Sequence, residues 1–313
     1  MKDYSRSVSD LFDSQLREWD LARDNYRQLD NVKARKIFFA DFEVAVQFNP
    51  GRITSSAAKV DARSIEARPC FLCEKNRPAQ QRGIKFEQDY TILINPFPIF
   101  RRHLTIVSDT HTDQRIAGNF LTMLRLAEAL PEYVIFYNGP ECGASAPDHL
   151  HFQAGNKGFL FIEDDFRNRS LCRKVDVDHV TEFWTWHKYG RGIMTLIGPD
   201  KEALTAAFGK FCSRFALTQP DRAEPMLNIL ASYNDGKWII HVIPRKLHRP
   251  ACYFAEGNDR ILLSPASVDL GGVLITPREE DFIKITSADI SGIFMQVCLN
   301  EREIMSFTED ILL

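Results

Sequence analysis

Short apolar runs separated by polar turns occupy most of the chain, and their lengths predict strands more often than helices. An apolar run over residues 133–137 predicts one strand, and strict alternation over 149–154 predicts the next. Two longer stretches, 4–29 and 113–130, carry apolar residues at helical spacing and predict amphipathic helices. Further strands are predicted over 36–48 (a hairpin or one bent strand), 90–95, 104–107 and 158–162.

The second half of the chain repeats this plan. A strand over 192–197, a helix over 201–216 and a hairpin over 226–243 follow the same order as the elements between 104 and 154. A helix is also expected near 180–187. His241 falls where the polar residues of the first hairpin fall, and Ile243 is expected to replace one of them. The pattern therefore predicts an α+β protein of two repeats, each an antiparallel sheet with a packed helix, forming one compact body.

Polar residues interrupt the core pattern at one place, the strand over 149–154. Because residues two apart on a strand share a face, His149, His151 and Gln153 should project together. The loop before them offers backbone N–H groups that could bind phosphate, from Gly143, Ala144 and Ser145. The alternative is two structural histidines on a half-exposed strand. A third polar residue in register and the small-residue loop favour a functional site.

Composition excludes several classes of protein. The chain has 313 residues, enough for one large unit or two domains, and a net charge of −3 that argues against a nucleic-acid binder. Its apolar runs are shorter than the roughly 18 residues of a membrane span, and the first residues do not resemble a secretory signal. Seven cysteines, mostly in apolar contexts, fit buried thiols in a reducing cytoplasm.

Two further patterns carry candidate chemistry. Cys70 and Cys73 form a Cys-x-x-Cys pair, which is half of a zinc site or a redox pair, and His111 and His149 could complete a metal site. The basic run over 244–250 is either a solvated turn or a source of cations, with Arg245 and Lys246 reaching a phosphate or acceptor.

The segment His149-Leu150-His151-Phe152-Gln153 resembles the active site of the histidine-triad superfamily. The similarity is to the branch that ends the triad in Gln: galactose-1-phosphate uridylyltransferases, diadenosine-tetraphosphate phosphorylases and plant GDP-galactose phosphorylases. Asn138 and residues 143–145 resemble the phosphate loop of that branch, although Ser145 lies four residues before His149 and the family has three. The motifs span about residues 35–155, and 190–250 match by organisation only.

The resemblance implies roles for individual residues. His151 would attack the α-phosphorus of a nucleotide, Gln153 would hold a phosphate oxygen, and His149 is expected to be catalytic as well. A structural zinc would occupy the cysteine–histidine set, whose members match those of bacterial uridylyltransferases. The turn over 49–59 is similar to a segment near the nucleotide phosphates, and the turn over 95–98 is similar to a nucleoside-binding turn. These turns imply a set of ligand contacts: Arg52 helped by Lys59 on the phosphates, Asn95 on the ribose or base, and Phe97 against the base.

The predicted function is a nucleotidyltransferase or phosphorylase that acts on a nucleoside-diphosphate sugar through a covalent nucleotidyl-histidine, with phosphate or a sugar phosphate as acceptor. Two alternatives stay open, a dinucleoside-polyphosphate phosphorylase and a nucleotide-binding protein without turnover. The predicted organisation is a helical arm over 1–34, a first histidine-triad-like repeat over 35–165 and a degenerate second repeat with C-terminal helices over 166–313. Because the duplication supplies a pairing within one chain, a monomer or a homodimer is expected.

Overall fold

The computed structural model describes residues 3–53, 60–177 and 180–312. The strands are β1 Lys33–Phe38, β2 Glu43–Phe48, β3 Gly83–Phe86, β4 Tyr90–Ile94, β5 His103–Ser108, β6 Tyr133–Asn138, β7 His151–Asn156, β8 Cys172–Val177, β9 Glu182–Trp186, β10 Met194–Gly198, β11 Leu227–Asn234, β12 Lys237–Pro244 and β13 Val273–Thr276. The α-helices are α1 Tyr4–Glu18, α2 Asp20–Gln28, α3 Ala62–Glu66, α4 Phe120–Ala129, α5 Phe161–Asp165, α6 Lys201–Ala216, α7 Ala251–Phe254, α8 Ser267–Leu270, α9 Glu279–Lys284, α10 Ser287–Val297 and α11 Glu301–Leu312.

A ten-stranded sheet forms the centre of the molecule, with the order β3-β4-β5-β7-β6-β11-β12-β10-β9-β8. All neighbouring strands in it are antiparallel. Read outward from the central pair β6 and β11, the order β6-β7-β5 on one side matches β11-β12-β10 on the other. Helix α4 lies between β5 and β6 along the chain, and α6 lies between β10 and β11. The predicted α+β fold of two repeats in one body is therefore confirmed.

The strand register shows which residues correspond in the two repeats. Phe136 of β6 pairs with Leu230 of β11 across the centre of the sheet. On their other sides, Phe136 pairs with Gln153 of β7, and Leu230 pairs with His241 of β12. His241 is therefore the counterpart of Gln153, as the position of the second hairpin suggested.

The same register corrects one expectation about the second repeat. Two residues before His241 lies Ile239, which is therefore the counterpart of His151. Ile243 lies two residues after His241 and corresponds to Gly155, so it does not replace a polar residue of the motif. The second repeat has an aliphatic side chain where the first carries its candidate nucleophile.

The two faces of the large sheet are covered differently. Helices α1, α2, α4, α6 and α11 cover one face, where Phe120 of α4 and Phe208 of α6 stack with ring centroids 3.8 Å apart. The three-stranded sheet β1-β2-β13, together with α5, α8 and α10, covers the other. Because side chains alternate along β7, Phe152 packs under the helices and Gln153 lies on the face of the small sheet.

Two elements differ from the prediction. Residues 158–162 are not a strand, because α5 begins within them: the Glu163 carboxylate accepts hydrogen bonds from the backbone N–H groups of Gly158 and Leu160, both at 3.0 Å. Residues 180–187 are not a helix. They contain β9, whose aromatic side chains favour a strand and which pairs with β8 and β10.

The predicted N-terminal helix over 4–29 is two helices that break at Trp19, where the backbone is extended. Both pack their apolar residues onto the helix-covered face of the sheet. No helix within the described ranges has both the length and the hydrophobicity of a membrane span.

Arg245 follows β12 and is fully buried. Its five N–H groups all donate to acceptors of the chain. Nε bonds the carbonyl of Val297, Nη1 the Asn228 side chain and the carbonyl of Pro265, and Nη2 the carbonyls of Leu247 and His248. The predicted contact of Arg245 with substrate is wrong, because the guanidinium has no N–H left to donate.

Lys246 contacts the C-terminal helices. Its Nζ lies 3.4 Å from Oε2 of Glu303 on α11, and its backbone N–H donates to the carbonyl of Val297. Its contact with a phosphate or acceptor stays a prediction.

Arg245→Ala is expected to lower the free energy of unfolding by about 3 kcal/mol or more, because it leaves buried acceptors unpaired. The neighbouring Lys246→Ala, which removes the same charge from an exposed pair, should cost less than about 1 kcal/mol. Urea denaturation followed by tryptophan fluorescence would compare the two variants. Equal losses of stability would contradict the structural role assigned to Arg245.

Candidate active site

His151 opens β7 and is 4% exposed. Its Nδ1 lies 2.8 Å from the carbonyl oxygen of His149, and because a carbonyl can only accept, Nδ1 carries the proton. Burial lowers the pKa of His151 to about 4, which keeps the ring neutral at pH 7. Nε2 therefore holds a free lone pair. It has no hydrogen-bond partner among the described residues.

Gln114 holds His151 in place where β6 and β7 diverge. The last paired residues of these strands are Phe136 and Gln153. Beyond them, the Gln114 side chain bridges the gap: Oε1 accepts from the backbone N–H of His151 at 2.8 Å, and Nε2 donates to the carbonyls of His151 and Asn138 at 3.0 and 2.9 Å. The amide replaces missing ladder hydrogen bonds and fixes the distance between the nucleophile strand and the loop that follows β6.

Gln153 lies on the same face of β7 as His151. Its Oε1 is 3.1 Å from Nε2 of His103 on β5, a residue that is completely buried. Gln153 is half-buried, and its NH₂ group has no acceptor within the described part of the chain. The predicted side-by-side placement of His151 and Gln153 is therefore what the structure has.

Asn138 ends β6 beside this pair. Its Oδ1 accepts three hydrogen bonds, from the backbone N–H of Ser267 at 2.9 Å, the Ser267 hydroxyl at 2.7 Å and Nδ2 of Asn228 at 2.8 Å. Because a backbone N–H can only donate, the atom it meets must be the oxygen, and the NH₂ group must point the other way. That group also has no acceptor in the described ranges.

The loop after Asn138 carries unpaired backbone donors. Among the described residues, no acceptor meets the N–H groups of Gly143, Ala144 or Ser145. Gly143 has φ of 96°, and a Cβ there would lie 2.6 Å from Cβ of Ala266, so only glycine fits. Arg68 donates to the carbonyl of Ser145 at 3.2 Å and fixes the far end of the loop. These open N–H groups suit an anion.

Arg52, which follows β2, is the phosphate-binding cation that the resemblance implied. It ends a 3-10 turn, is half-buried, and donates from Nη1 to the carbonyl of Phe97 at 2.8 Å. Burial lowers the pKa of Arg52 to about 10, opposed by the Asp269 carboxylate, so the guanidinium stays charged at pH 7. After burial, the charge of Arg52 is the next cause that lowers the pKa of His103, to about 3. Lys59 lies outside the described residues.

Asn95 is committed to the turn that it begins. Its Oδ1 accepts from the backbone N–H of Phe97 at 2.9 Å, and its Nδ2 donates to the Thr105 hydroxyl at 3.1 Å. One N–H of the amide is left for a ribose or base, so that contact stays a prediction. The Phe97 ring is 44% exposed and available as a wall for a base, as predicted from the turn.

Cys70, Cys73, His111 and His149 come together as the sequence predicted, and their ligand atoms all lie within 4.8 Å of one another. Nδ1 of His149 is 3.2 Å from Sγ of Cys70, and Nδ1 of His111 is 3.2 Å from Sγ of Cys73. Burial opposes ionisation of Cys70, but the hydrogen bond with His149 and those with the backbone of Leu72 and Cys73 together outweigh it and lower the pKa of this thiol to about 6. Two sulfurs and two imidazoles at this spacing could bind one metal ion.

Residues outside the cluster orient its two histidines. Nε2 of His149 donates to the carbonyl of Ser108 at 2.8 Å, and Nε2 of His111 lies 3.9 Å from Oδ2 of Asp148, which Arg68 holds at 3.1 Å. Both ring nitrogens of His149 are therefore engaged. The expectation that its ring is catalytic is wrong, and it contributes to the site through its carbonyl.

Sequence reasoning missed or undervalued the residues that orient the site. They are Arg68, His103, Gln114, Asn228 and Ser267. Each acts on a partner far along the chain, from 37 residues for Gln114 and His151 to 129 residues for Ser267 and Asn138. His103 directly precedes the strand predicted over 104–107, so its role left no periodic signal in the sequence.

Comparisons with known proteins support the fold. Residues 11–156, less than half of the chain, match the family model of a domain of unknown function, DUF4922. A search of curated protein sequences finds no significant match.

Among solved structures, yeast Ap4A phosphorylase Apa2 is similar over 90% of this chain and 96% of its own, with a TM-score of 0.61 and 18% identity. Its complex with Ap4A gives a TM-score of 0.59 at 17% identity over 90% of this chain and 96% of that one. Its complex with AMP gives a TM-score of 0.55 at 18% identity, over 91% of this chain and 98% of that one. The chain therefore has the fold of yeast Ap4A phosphorylase.

Proposed function

We propose that the protein transfers a nucleoside 5′-phosphoryl group through a covalent intermediate on His151. The observation that carries this is the free lone pair of Nε2 on a neutral ring, placed beside the open NH₂ groups of Gln153 and Asn138. A nucleophile next to several donors without acceptors suits a phosphoryl centre, because such a group brings electrophilic phosphorus and anionic oxygens together.

In the first step, the Nε2 lone pair of His151 forms a bond to the α-phosphorus and the bond from phosphorus to the leaving-group oxygen breaks. The leaving group departs as a phosphate-terminated anion that needs no proton at neutral pH. The positive charge that develops on the ring is stabilised by the carbonyl of His149, which already accepts from Nδ1. In the second step an acceptor phosphate attacks phosphorus, the P–N bond breaks, and its electron pair returns to Nε2.

Three groups of donors would stabilise the transferred phosphoryl oxygens: the amides of Gln153 and Asn138, the N–H groups of residues 143–145, and Arg52. Gln153 lies on the face of β7 opposite to the core residue Phe152. Donors fixed by the fold cost little reorganisation as negative charge grows in the transition state. The turn carrying Phe97 lies beside Arg52 and would receive the base.

Two donor classes fit this chemistry. A dinucleoside polyphosphate is supported by the shared fold with a phosphorylase that has been solved with Ap4A and with AMP. A nucleoside-diphosphate sugar is supported by the resemblance of Cys70-Phe71-Leu72-Cys73 to the uridylyltransferase zinc set. Inorganic phosphate would be the acceptor for the first class, and phosphate or a sugar phosphate for the second.

We also propose that the cysteine–histidine cluster holds a structural zinc. Two thiolates and two imidazoles are a preferred tetrahedral set for Zn²⁺, and all four positions would be filled by protein. Bound there, zinc would fix the loop that ends at His149. It would lie outside the reaction and would act on His151 only by holding the carbonyl to which Nδ1 donates.

Brief incubation with Ap4A, UDP-glucose, GDP-mannose, GDP-galactose and ADP-glucose is expected to add one nucleoside-monophosphate mass to the protein. The added mass names the base, and intact-protein mass spectrometry measures it. His151→Ala should show no adduct because it lacks the attacking nitrogen. His187→Ala, which alters a histidine that contacts Glu301, is the matched control and should form the adduct normally.

An adduct that persists in His151→Ala would show that another residue is the nucleophile. Tight nucleotide binding without an adduct in the wild type would favour the alternative of a binding protein without turnover.

Gly143→Ala is expected to weaken AMP binding by more than about tenfold, because the strained backbone and the contact with Ala266 displace the open N–H groups. Gly118→Ala is the matched control, since Gly118 also has positive φ, 78°, but a Cβ there meets no atom within 4 Å. Calorimetric titration with AMP compares the two variants. Similar losses of affinity would place the phosphate site elsewhere.

Cys73→Ser is expected to reduce bound zinc from about one ion per chain to well below half, because it removes one of four ligands. Cys212→Ser, in α6 and outside the cluster, should keep the full content. Elemental analysis by mass spectrometry measures the metal after purification without chelators. Equal zinc in the two variants would refute this ligand set.

A further inference from the structure

We propose that His103 is a positioning residue that holds the amide of Gln153 with its NH₂ group towards the transferred phosphoryl group. The inference deepens the proposed function and rests on it. His103 does not face the reacting atoms itself, since it is fully buried on β5, behind Gln153.

The protonation state of His103 follows from its neighbours. The backbone N–H of Ile99 lies 3.2 Å from Nδ1 of His103 and can only donate, so Nδ1 is unprotonated. Burial and the nearby charge of Arg52 lower the pKa of His103, so the ring is neutral and its single proton is on Nε2. That proton must go to the atom of Gln153 at 3.1 Å, which is therefore the oxygen.

The position of the ring is fixed as tightly as its tautomer. The carbonyl of His103 accepts from the Tyr26 hydroxyl at 3.0 Å and from the backbone N–H of Asn95 at 2.8 Å. The ring packs edge-on against Phe100 at 5.4 Å between centroids. Phe100 can sit there because the facing residue on β7 is Gly155, where a Cβ would lie 2.3 Å from the Phe100 ring. The N-terminal arm therefore contributes to the active site through Tyr26.

A primary amide has a donor end and an acceptor end of nearly equal size. If Gln153 rotated by 180° about its last torsion, the carbonyl oxygen would face an anionic phosphate oxygen and repel it. Nothing in the shape of the residue prevents this, so a fixed donor behind it is required. His103 supplies that donor, and the cost of flipping is a lost hydrogen bond together with a clash of two N–H donors.

The second repeat supports the coupling of the two residues. Thr105 pairs with Gln153 and Thr195 pairs with His241, so the counterpart of His103, two residues earlier, is Ile193. In the second repeat, His241 stands in the place of Gln153, and the aliphatic Ile193 stands in the place of its buried donor, His103. His241 is instead held by the Thr195 hydroxyl at 2.8 Å.

A double-mutant cycle tests the proposal, with the rate of adduct formation as readout. His103→Phe keeps an aromatic ring but removes the donor, and should lower the rate about 10- to 100-fold with little change in KM. Gln153→Ala should lower it at least as much. In the double variant, His103→Phe should cost nothing further, because the amide it orients is gone. Thermal denaturation checks that each variant folds.

His103→Gln is the conservative variant, because its Nε2 can occupy the place of the imidazole Nε2–H and donate to Gln153. It should recover most of the rate lost in His103→Phe. Independent losses that multiply in the double variant, or no recovery in His103→Gln, would mean that His103 acts only on stability and would overturn the proposal.

Two readouts separate this proposal from the proposed function. If wild type forms no adduct, covalent transfer fails, and the cycle is run on AMP affinity, which uses the same NH₂ group. Long-range ¹H–¹⁵N NMR of the imidazoles gives the tautomer without any ligand. Protonated Nε2 on His103 is expected, and a proton on Nδ1 would overturn the orientation of Gln153 whatever the activity.

Discussion

The hydrogen bond from Nδ1 of His151 to the carbonyl of His149 joins the two halves of the motif. It sets the tautomer of the candidate nucleophile, and its acceptor belongs to a residue whose ring is held by the cysteine cluster and Ser108. Among the described residues, no carboxylate hydrogen-bonds to His151. A backbone carbonyl orients the ring of His151 without taking the proton from Nδ1. The carbonyl oxygen can move only if the peptide group of His149 moves. Anchoring the ring of His149 therefore anchors the nucleophile.

The donors of the candidate site are mainly neutral, which agrees with a chain of net charge −3. Each amide is oriented by donors behind its oxygen: His103 behind Gln153, and Ser267 with Asn228 behind Asn138. Such amides cannot turn to accept from a hydroxyl, so they favour groups that carry only acceptors. Arg52 adds one positive charge at the edge, and this arrangement limits attraction of unrelated polyanions.

Whether the sequence predicts a contact of the candidate site depends on how far apart the two contacting residues lie along the chain. The His-x-His-x-Gln motif, the Cys-x-x-Cys pair and the duplication follow from local spacing and periodicity, whereas the full metal set with His111 and His149 rests on the family resemblance. Gln114 and Ser267 could not be found that way, because their contacts cross the fold and leave no periodic signal. Arg245 was misassigned for a related reason: a basic run is typical of a surface, and only the tertiary structure shows five buried acceptors around its guanidinium.

The second repeat explains why one chain carries one site. It keeps the strand order but places Ile239 where His151 would be. The second repeat also supplies Asn228. Its Oδ1 accepts a hydrogen bond from Nη1 of Arg245 at 2.6 Å, and its Nδ2 donates to Oδ1 of Asn138 in the first repeat. By the register across the centre of the sheet, the counterpart of Asn228 is Val134, an apolar core residue. A symmetric second site would therefore lack the support that the first receives, because the supporting network crosses the sheet in one direction only.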